Sequence, residues 1–185
     1  MSRTTTLTAT LAAMLIAGTA LAQGVPTVGG APMFPERNIV ENAVNSPIHT
    51  TLVAAVTEAG LVDTLASAGP FTVFAPTDDA FADLPEGSVA ALLEPRNRDR
   101  LVEILTCHVV AAEAFSGDIV GMINASGGAH PIETVGGCTF TARMSGGMVM
   151  IEDEQGRMAT VTQADVDQSN GVIHVIDTVL LPDAD

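Results

Sequence analysis

The sequence contains no lysine, and its 7 basic residues, all arginine, stand against 22 aspartates and glutamates. The formal net charge of the 185-residue chain is −15 at pH 7. Nucleic acids and anionic lipid surfaces are bound largely through clustered lysines and arginines, so this composition disfavours both as partners. A basic partner or a cation-bridged surface is compatible with the charge, and so is the simpler interpretation that it keeps the protein soluble.

Long apolar runs are absent after residue 22. No later segment offers the roughly 20 apolar residues that a membrane-spanning helix needs, so no membrane span is expected. Residues 1–22 carry a positive charge at Arg3, an apolar stretch and then Ala20-Leu21-Ala22. This order is typical of a secretory signal peptide with a small-residue cleavage site. We expect an exported mature chain that begins at Gln23; an uncleaved, anchored leader is the alternative.

Motifs for catalysis and for metal binding are also missing. The sequence has no Gly-x-Ser-x-Gly elbow, no phosphate-binding glycine loop and no His-Glu-x-x-His pattern. The carboxylates of Asp78-Asp79 suit the first turn of a helix, and those of Glu152-Asp153-Glu154 suit a hairpin turn. We therefore expect no catalytic, cofactor or metal site, and no enzyme activity.

The patterns after residue 22 predict one domain preceded by a lead-in. Residues 23–41 are rich in glycine and proline, which predicts an irregular segment. Residues 42–183 have the length of a single domain with its own core. No internal repeat divides them.

Helical signals fill the first half of this domain. Ser46-Pro47 predicts the start of a helix and Gly60 its end. Thr77 predicts a second helix cap, before Asp78-Asp79. From Pro131 onward, apolar runs between glycine-containing turns predict consecutive antiparallel strands. Helices followed by hairpins favour an α+β fold over a βαβ repeat.

Two specific sequence blocks bracket the domain, Gly69 to Phe81 and Ser169 to Pro182. They resemble the two signature blocks of the fasciclin domain family. Between them, Leu105 to Val110 resembles the family's central Tyr-His segment, with Cys107 where the tyrosine usually is. The resemblance covers about residues 42–182, and the lead-in is similar to that of the single-domain, secreted bacterial branch of the family.

This resemblance implies a fasciclin-type fold, a wedge-shaped antiparallel β-sandwich with several α-helices clustered in the N-terminal half. The positions that carry the family signature are Thr72, Phe74, Ala75, Pro76, Thr77, Asn170, Gly171, His174 and Asp177. Local chemistry gives these residues structural roles as well. Pro76 prevents a strand from continuing, and Asn170-Gly171 favours a tight turn.

The resemblance also implies a function, that of a non-catalytic cell-adhesion or surface-interaction module. The expected location is the periplasm or the cell surface, the expected partner is a protein or glycan of the surface or envelope, and the expected state is a monomer. A second hypothesis is an extracytoplasmic protein that binds a small molecule or lipid in an apolar cleft between sheet and helices. It rests on a composition that is 47 % hydrophobic and includes eight methionines.

Candidate adhesion residues follow from the same resemblance. They are Cys107, His108, Val109, Val110, Asp118, Ile119, Asp165 and Val166. Each has a simpler interpretation. His108, like His174, is flanked by apolar residues and suits a buried neutral imidazole that is hydrogen-bonded in the core. Asp118 and Asp165 suit capping positions before a helix or turn.

Cys107 and Cys138 are the two cysteines of the chain. In an oxidising compartment an even count favours a disulfide, whereas two buried free thiols are the alternative. In the proteins that the chain resembles, tyrosine is usual at the first position and glycine is common at the second. The joint presence of two unusual cysteines favours a Cys107–Cys138 bridge.

We predict that Cys107 and Cys138 form this bridge in the exported protein. Alkylation of the unfolded, unreduced protein should leave its mass unchanged, because a disulfide offers no thiol to the reagent. After reduction, the intact mass should increase by two alkyl groups. Alkylation of both cysteines before reduction would contradict the prediction.

Overall fold

The computed structural model describes residues 25–183, so the predicted signal peptide lies outside the described residues. In chain order the elements of this part are β1 (Thr27–Val28), β2 (Ala31–Pro32), α1 (Ile39–Ala43), α2 (Thr50–Ala59), α3 (Val62–Ala66), β3 (Phe71–Pro76), α4 (Asp78–Ala82), α5 (Ser88–Leu92), a 3-10 turn (Pro95–Asn97), α6 (Arg98–Cys107), β4 (Val109–Val110), α7 (Ser116–Ala125), β5 (Ala129–Glu133), β6 (Thr139–Ser145), β7 (Met148–Glu152), β8 (Met158–Gln168) and β9 (Gly171–Ile176).

Seven of these strands form one sheet, in the order β4-β3-β9-β8-β7-β6-β5. Strands β6 to β9 form the predicted run of antiparallel neighbours, and β5, which was not predicted, pairs antiparallel with β6. Strands β3 and β9, which come from the two signature blocks, run parallel with Phe74 opposite His174. The α+β class is confirmed. An antiparallel sheet was expected, and the parallel pair of β3 and β9 departs from it. The prediction missed this pair because local sequence patterns do not show how distant strands pair.

The sheet separates two hydrophobic clusters. On β3, Val73 and Ala75 face a cluster formed with helices α1–α6, whereas Phe74 faces one formed with α7 and strands β5–β7. On β9, Val175 faces the cluster on the helical side and Ile176 faces the cluster with α7. Successive side chains of a strand point to opposite faces, so both signature strands are buried on both sides. This explains why they have nearly continuous apolar sequences.

The two ends of the sheet lie close together. The backbone N–H of Val135, after β5, donates to Val109 O of β4 at 2.8 Å, and Gly136 N donates to Thr106 O at 3.1 Å. Beside these bonds, a disulfide joins Cys107 to Cys138, whose Cα atoms are 5.5 Å apart. The sheet is thereby wrapped into a near-barrel.

Helix α2 begins three residues later than Ser46-Pro47 predicted, at Thr50. The carboxylate of Asp78 accepts hydrogen bonds from the backbone N–H groups of Thr50 and Thr51 at 3.2 and 2.7 Å. It therefore caps α2 from the start of α4, a distant partner that local capping rules do not reveal. Gly60 ends the helix as predicted, in a left-handed conformation with φ of 73°.

The lead-in is more ordered than its composition predicted. Strands β1 and β2 pair within it, and α1 begins at Ile39, before the predicted boundary. Val28 and Met33 are each 2 % exposed and belong to the cluster on the helical side of the sheet. Apolar side chains between the glycines thus fix a segment that the glycines alone would leave irregular.

Asn170 and Gly171 connect several elements at the start of β9. The side-chain oxygen of Asn170 accepts from Ile39 N at 3.0 Å, and its amide nitrogen donates to the carbonyls of Leu65 and Ser67, each at 2.8 Å. The backbone of Gly171 has φ of 151°, and a Cβ there would lie 2.0 Å from Phe71 O. Only glycine fits this close approach of two backbones.

We predict that Gly171→Ala lowers the free energy of unfolding by about 3 kcal/mol or more, because the added methyl collides with backbone in a conformation that alanine rarely adopts. Gly117→Ala is the matched control. It lies in α7, where an added Cβ would meet no neighbouring atom within 4 Å, and no positive φ is involved. The control should raise stability by about 0.5–1 kcal/mol. Urea unfolding measures both, and equal stabilities would contradict the prediction.

Candidate functional site around helix α7

Signature side chains fix the loop that leads from β4 into α7. The Thr72 hydroxyl donates to Ala112 O at 2.6 Å and accepts from Ala114 N at 2.9 Å. His174 lies in the same sheet face and holds the loop through Ala114 O, 2.8 Å from Nε2. The loop residues 111–113 are exposed. The signature block thus positions an exposed loop in addition to building the core.

The other ring nitrogen of His174 contacts strand β8. Its Nδ1 accepts from Asp165 N at 3.3 Å, so Nε2 carries the ring proton and donates to Ala114 O. Burial lowers the pKa of His174, although the Ala114 carbonyl and the Asp165 carboxylate act in the opposite direction. The ring stacks on Phe74 with centroids 5.7 Å apart. The neutral form predicted from its apolar neighbours fits these contacts.

Asp118 and Asp165 meet at the N-terminus of α7. Asp165 accepts from Ser116 N at 2.6 Å and also bonds the Ser116 hydroxyl, and Asp118 accepts from Phe115 N at 3.2 Å. Asp165 has φ of 60° and lies within the register shift of β8 between Gln163 and Val166. The bulge turns its carboxylate toward the helix. Both aspartates therefore act as caps, and both remain exposed.

The other candidate segments reach the same helix. Val110 and Ile119 line a cavity of about 170 Å³ between β4, α7 and β5. The cavity occupies the gap where the two ends of the sheet approach. The segment at Asp165 therefore joins the other two around α7, although Asp165 lies 49 positions from its partner Ser116, and no local pattern indicated this convergence.

Burial divides the candidate adhesion residues into two groups. Five of them are at most 6 % exposed, and these are Cys107, His108, Val109, Ile119 and Val166. A partner cannot reach these side chains in this fold, which corrects the expectation that they contact one directly. Asp118 and Asp165 are exposed and Val110 is half-buried. We use the term α7 surface for these three residues together with the exposed Glu113.

His108 has a structural role in the core. Its Nε2 accepts from Leu180 N at 3.0 Å, so Nδ1 carries the ring proton and donates to Ile104 O at 2.8 Å. Burial lowers the pKa of His108 to about 4; the Ile104 carbonyl and Asp153 oppose this change, and Arg157 adds to it. The neutral ring joins the end of α6 to the C-terminal segment.

An ion pair that the sequence did not single out holds the same C-terminal segment. The buried Asp153 carboxylate accepts from Arg157 at 2.8 and 2.9 Å and from Leu181 N at 3.0 Å. Arg157 also donates to Val179 O at 2.6 Å. The sequence predicted only a hairpin-turn position for Asp153. Its spacing of four residues from Arg157 is the signal that could have indicated the ion pair.

Residues 25–183 contain neither a metal-binding cluster nor a membrane-spanning helix. No group of three or more histidine, cysteine, aspartate or glutamate side chains in this range is arranged to hold a metal ion. No helix in the same range combines the length and apolarity needed to cross a membrane.

This architecture is that of a FAS1-like domain. It matches the solved structure of a FAS1 domain pair from the insect cell adhesion molecule fasciclin I, with a TM-score of 0.71 and 21 % identity over 78 % of this chain and 51 % of that chain. The Fasciclin domain profile matches residues 47–182, and the chain belongs to this family.

Relatives in bacteria extend the comparison. Protein sll1483 of Synechocystis sp. is 44 % identical over 92 % of this chain and 97 % of its own length. Cell surface glycolipoprotein MPB83 of Mycobacterium bovis is 32 % identical over 87 % of this chain and 66 % of its own length. The similarity to sll1483 therefore extends over nearly the whole of both chains.

We predict that acid destabilises the fold through His108. Above pH 6.5 the residue is neutral in both states, and between 6.5 and about 4 only the unfolded chain binds its proton. The free energy of unfolding should therefore decrease as the pH is lowered through this window. His108 should account for about 3 kcal/mol of the decrease. Urea unfolding at pH 7.5 and 4.5 measures the change.

His108→Gln tests the assignment, because its amide oxygen can still accept from Leu180 N but does not titrate. The variant should lose roughly 2–3 kcal/mol less stability than the wild type between the two pH values. The measurement at pH 7.5 separates any loss of packing from the effect of protonation. The same pH dependence in both proteins would show that His108 is not responsible.

Proposed function

We propose that the protein is an exported, monomeric, non-catalytic surface-interaction module that binds a protein or glycan of the cell surface or envelope through the α7 surface. The observation that carries the proposal is the convergence of the three candidate segments on α7. Membership of the fasciclin family and the similarity to a cell surface glycolipoprotein support it. The signal-like pattern of residues 1–22 supports export.

The chemistry of the α7 surface favours contact over catalysis. The carboxylates of Asp118 and Asp165 are engaged in capping α7, which keeps them in fixed positions. Thr72 and His174 hold the adjoining loop against the sheet. A rigid, exposed acidic surface loses little conformational freedom on binding.

The charge of the surface favours a partner with basic groups. Glu113, Asp118 and Asp165 are all exposed around the start of α7, and the chain as a whole has a formal charge of −15. Complementary charge would accelerate encounter and fix orientation, whereas an acidic partner would be repelled.

We predict that beads coated with the mature protein attach to cells of the producing organism and that Glu113→Arg lowers attachment about tenfold or more, since it opposes a basic partner with like charge. Glu58→Arg is the matched control, because it makes the same charge change at an exposed position on α2. It should attach as the wild type does. Attachment is measured by counting bound beads under flow.

Two results would refute the proposed function. One is attachment of coated beads at the level of uncoated beads, together with unchanged attachment of cells from which the gene is deleted. The other is an equal loss in Glu113→Arg and Glu58→Arg, which would indicate a dependence on net charge without a defined surface. Circular dichroism of both variants checks that each is folded.

A further inference from the structure

An apolar cavity of about 160 Å³ lies between helices α1 and α2 and the sheet. Its floor is formed by strand residues, among them Val73, Val166 and Ile173, and its walls include Leu52 and Val56 of α2. It lies on the helical side of the sheet, in the cluster that packs against α1–α6. The cavity is thus separate from the α7 surface.

The cavity reaches solvent where α1 ends. Val44, which follows α1, is 61 % exposed and lines it. Thr57, on the facing side of α2, is also exposed and lines it. Between them lie the half-buried Ala43 and Val53. Apolar residues therefore border an opening through which a small molecule can enter.

The polar side chains that line the cavity are mostly engaged elsewhere. Thr57 donates to Val53 O at 2.7 Å, both ring nitrogens of His108 are bonded, and the Ser46 hydroxyl bonds Nδ1 of His49 at 2.7 Å. The exception is Nε2 of His49. Among the described residues, it is the one buried side-chain nitrogen or oxygen without a hydrogen-bond partner, and the residue is 3 % exposed.

The surroundings of His49 give Nε2 the role of a donor. Burial lowers the pKa of His49, although the Ala75 carbonyl and Asp78 act in the opposite direction, so the ring is neutral at pH 7. Within the described chain, the Ser46 hydroxyl forms one hydrogen bond, and its partner is Nδ1 of His49. We assign the hydroxyl as the donor in this bond. The ring proton then lies on Nε2. The Ala75 carbonyl is close enough to the ring to raise its pKa, but it does not meet the geometry of a hydrogen bond with Nε2, which leaves this donor without an acceptor.

Size and polarity define what would complete this site. An engineered apolar cavity of about 150 Å³ in another protein binds benzene, so the volume suits a molecule of about one ring. A buried water needs about 2–4 polar partners, and this lining offers it one clear donor. A ring-sized apolar molecule with one acceptor oxygen satisfies His49 and fills the remaining space with apolar contacts.

We propose that this cavity binds a small apolar molecule of about one ring that carries a single hydrogen-bond acceptor, such as a cyclic ketone, and that Nε2 of His49 donates to its oxygen. The site is additional to the proposed surface function and does not depend on it. The ligand enters past Val44 and lies between α2 and the sheet.

The test compares two probes of similar shape, cyclohexanone and methylenecyclohexane, which differ in the acceptor oxygen. Binding to the mature protein is followed by NMR titration of backbone amides. We expect saturable shifts in α1 and α2 with both probes. His49→Asn keeps a polar atom near the position of Nδ1 to bond Ser46 and removes Nε2. It should weaken cyclohexanone about fivefold and leave methylenecyclohexane unchanged or tighter.

Two further variants test the location. Ala43→Phe fills the cavity from its rim and should abolish binding of both probes. Ala54→Phe adds the same group on the exposed face of α2, outside the lining, and should bind both as the wild type does. Amide spectra of the unliganded variants establish that each is folded.

Three outcomes would overturn the proposal. Absence of binding to the wild type would mean that the cavity holds water or is closed to ligands. An equal effect of His49→Asn on both probes would mean that Nε2 does not recognise the oxygen. Retained binding in Ala43→Phe would place the probes elsewhere. If His49→Asn does not fold, the Nε2–H resonance of the wild-type protein tests the same contact. The proposal requires this resonance to shift with cyclohexanone and not with methylenecyclohexane.

Discussion

The parallel pairing of β3 with β9 is the interaction on which the rest of the domain depends. It places Phe74 opposite His174, and neighbouring side chains point into two separate clusters. Parallel strands require a long crossover, and here the crossover contains every element from α4 to β8. A slip of one residue would exchange the two faces and disrupt both clusters. The close contact of Gly171 with Phe71 fixes this register.

Buried and half-buried polar side chains connect the sheet to the segments around it. His174 holds the loop before α7, His108 holds the C-terminal segment, and Asn170 holds the ends of α1 and α3. Each forms directed bonds to backbone groups that would otherwise lack partners in the interior. The apolar clusters supply most of the driving force, whereas these contacts determine where each loop lies.

Local chemistry was readable from the sequence, and distant pairing was not. Gly60 ends α2 and Thr77 caps α4 as predicted, because each acts on its own neighbours. The capping of α2 by Asp78 was missed, since that carboxylate belongs to another element. For the same reason, Ser116 and Asp165, 49 positions apart, could not be seen to meet at α7. The family resemblance supplied the architecture, which no periodicity would have indicated.

Closure of the sheet restricts how another chain could associate with it. Strand β4 has two residues, and β5 contains Pro131, which lacks a backbone donor. Strand β4 and the segment that follows β5 are also joined by the contacts near Cys107 and Cys138 that bring the ends of the sheet together. Long, flat edges allow proteins to add strands from neighbouring molecules and to form fibrils, and this fold offers poor templates for that process. Recognition of this domain must then rely on side chains, which distinguish one partner from another better than a shared backbone can.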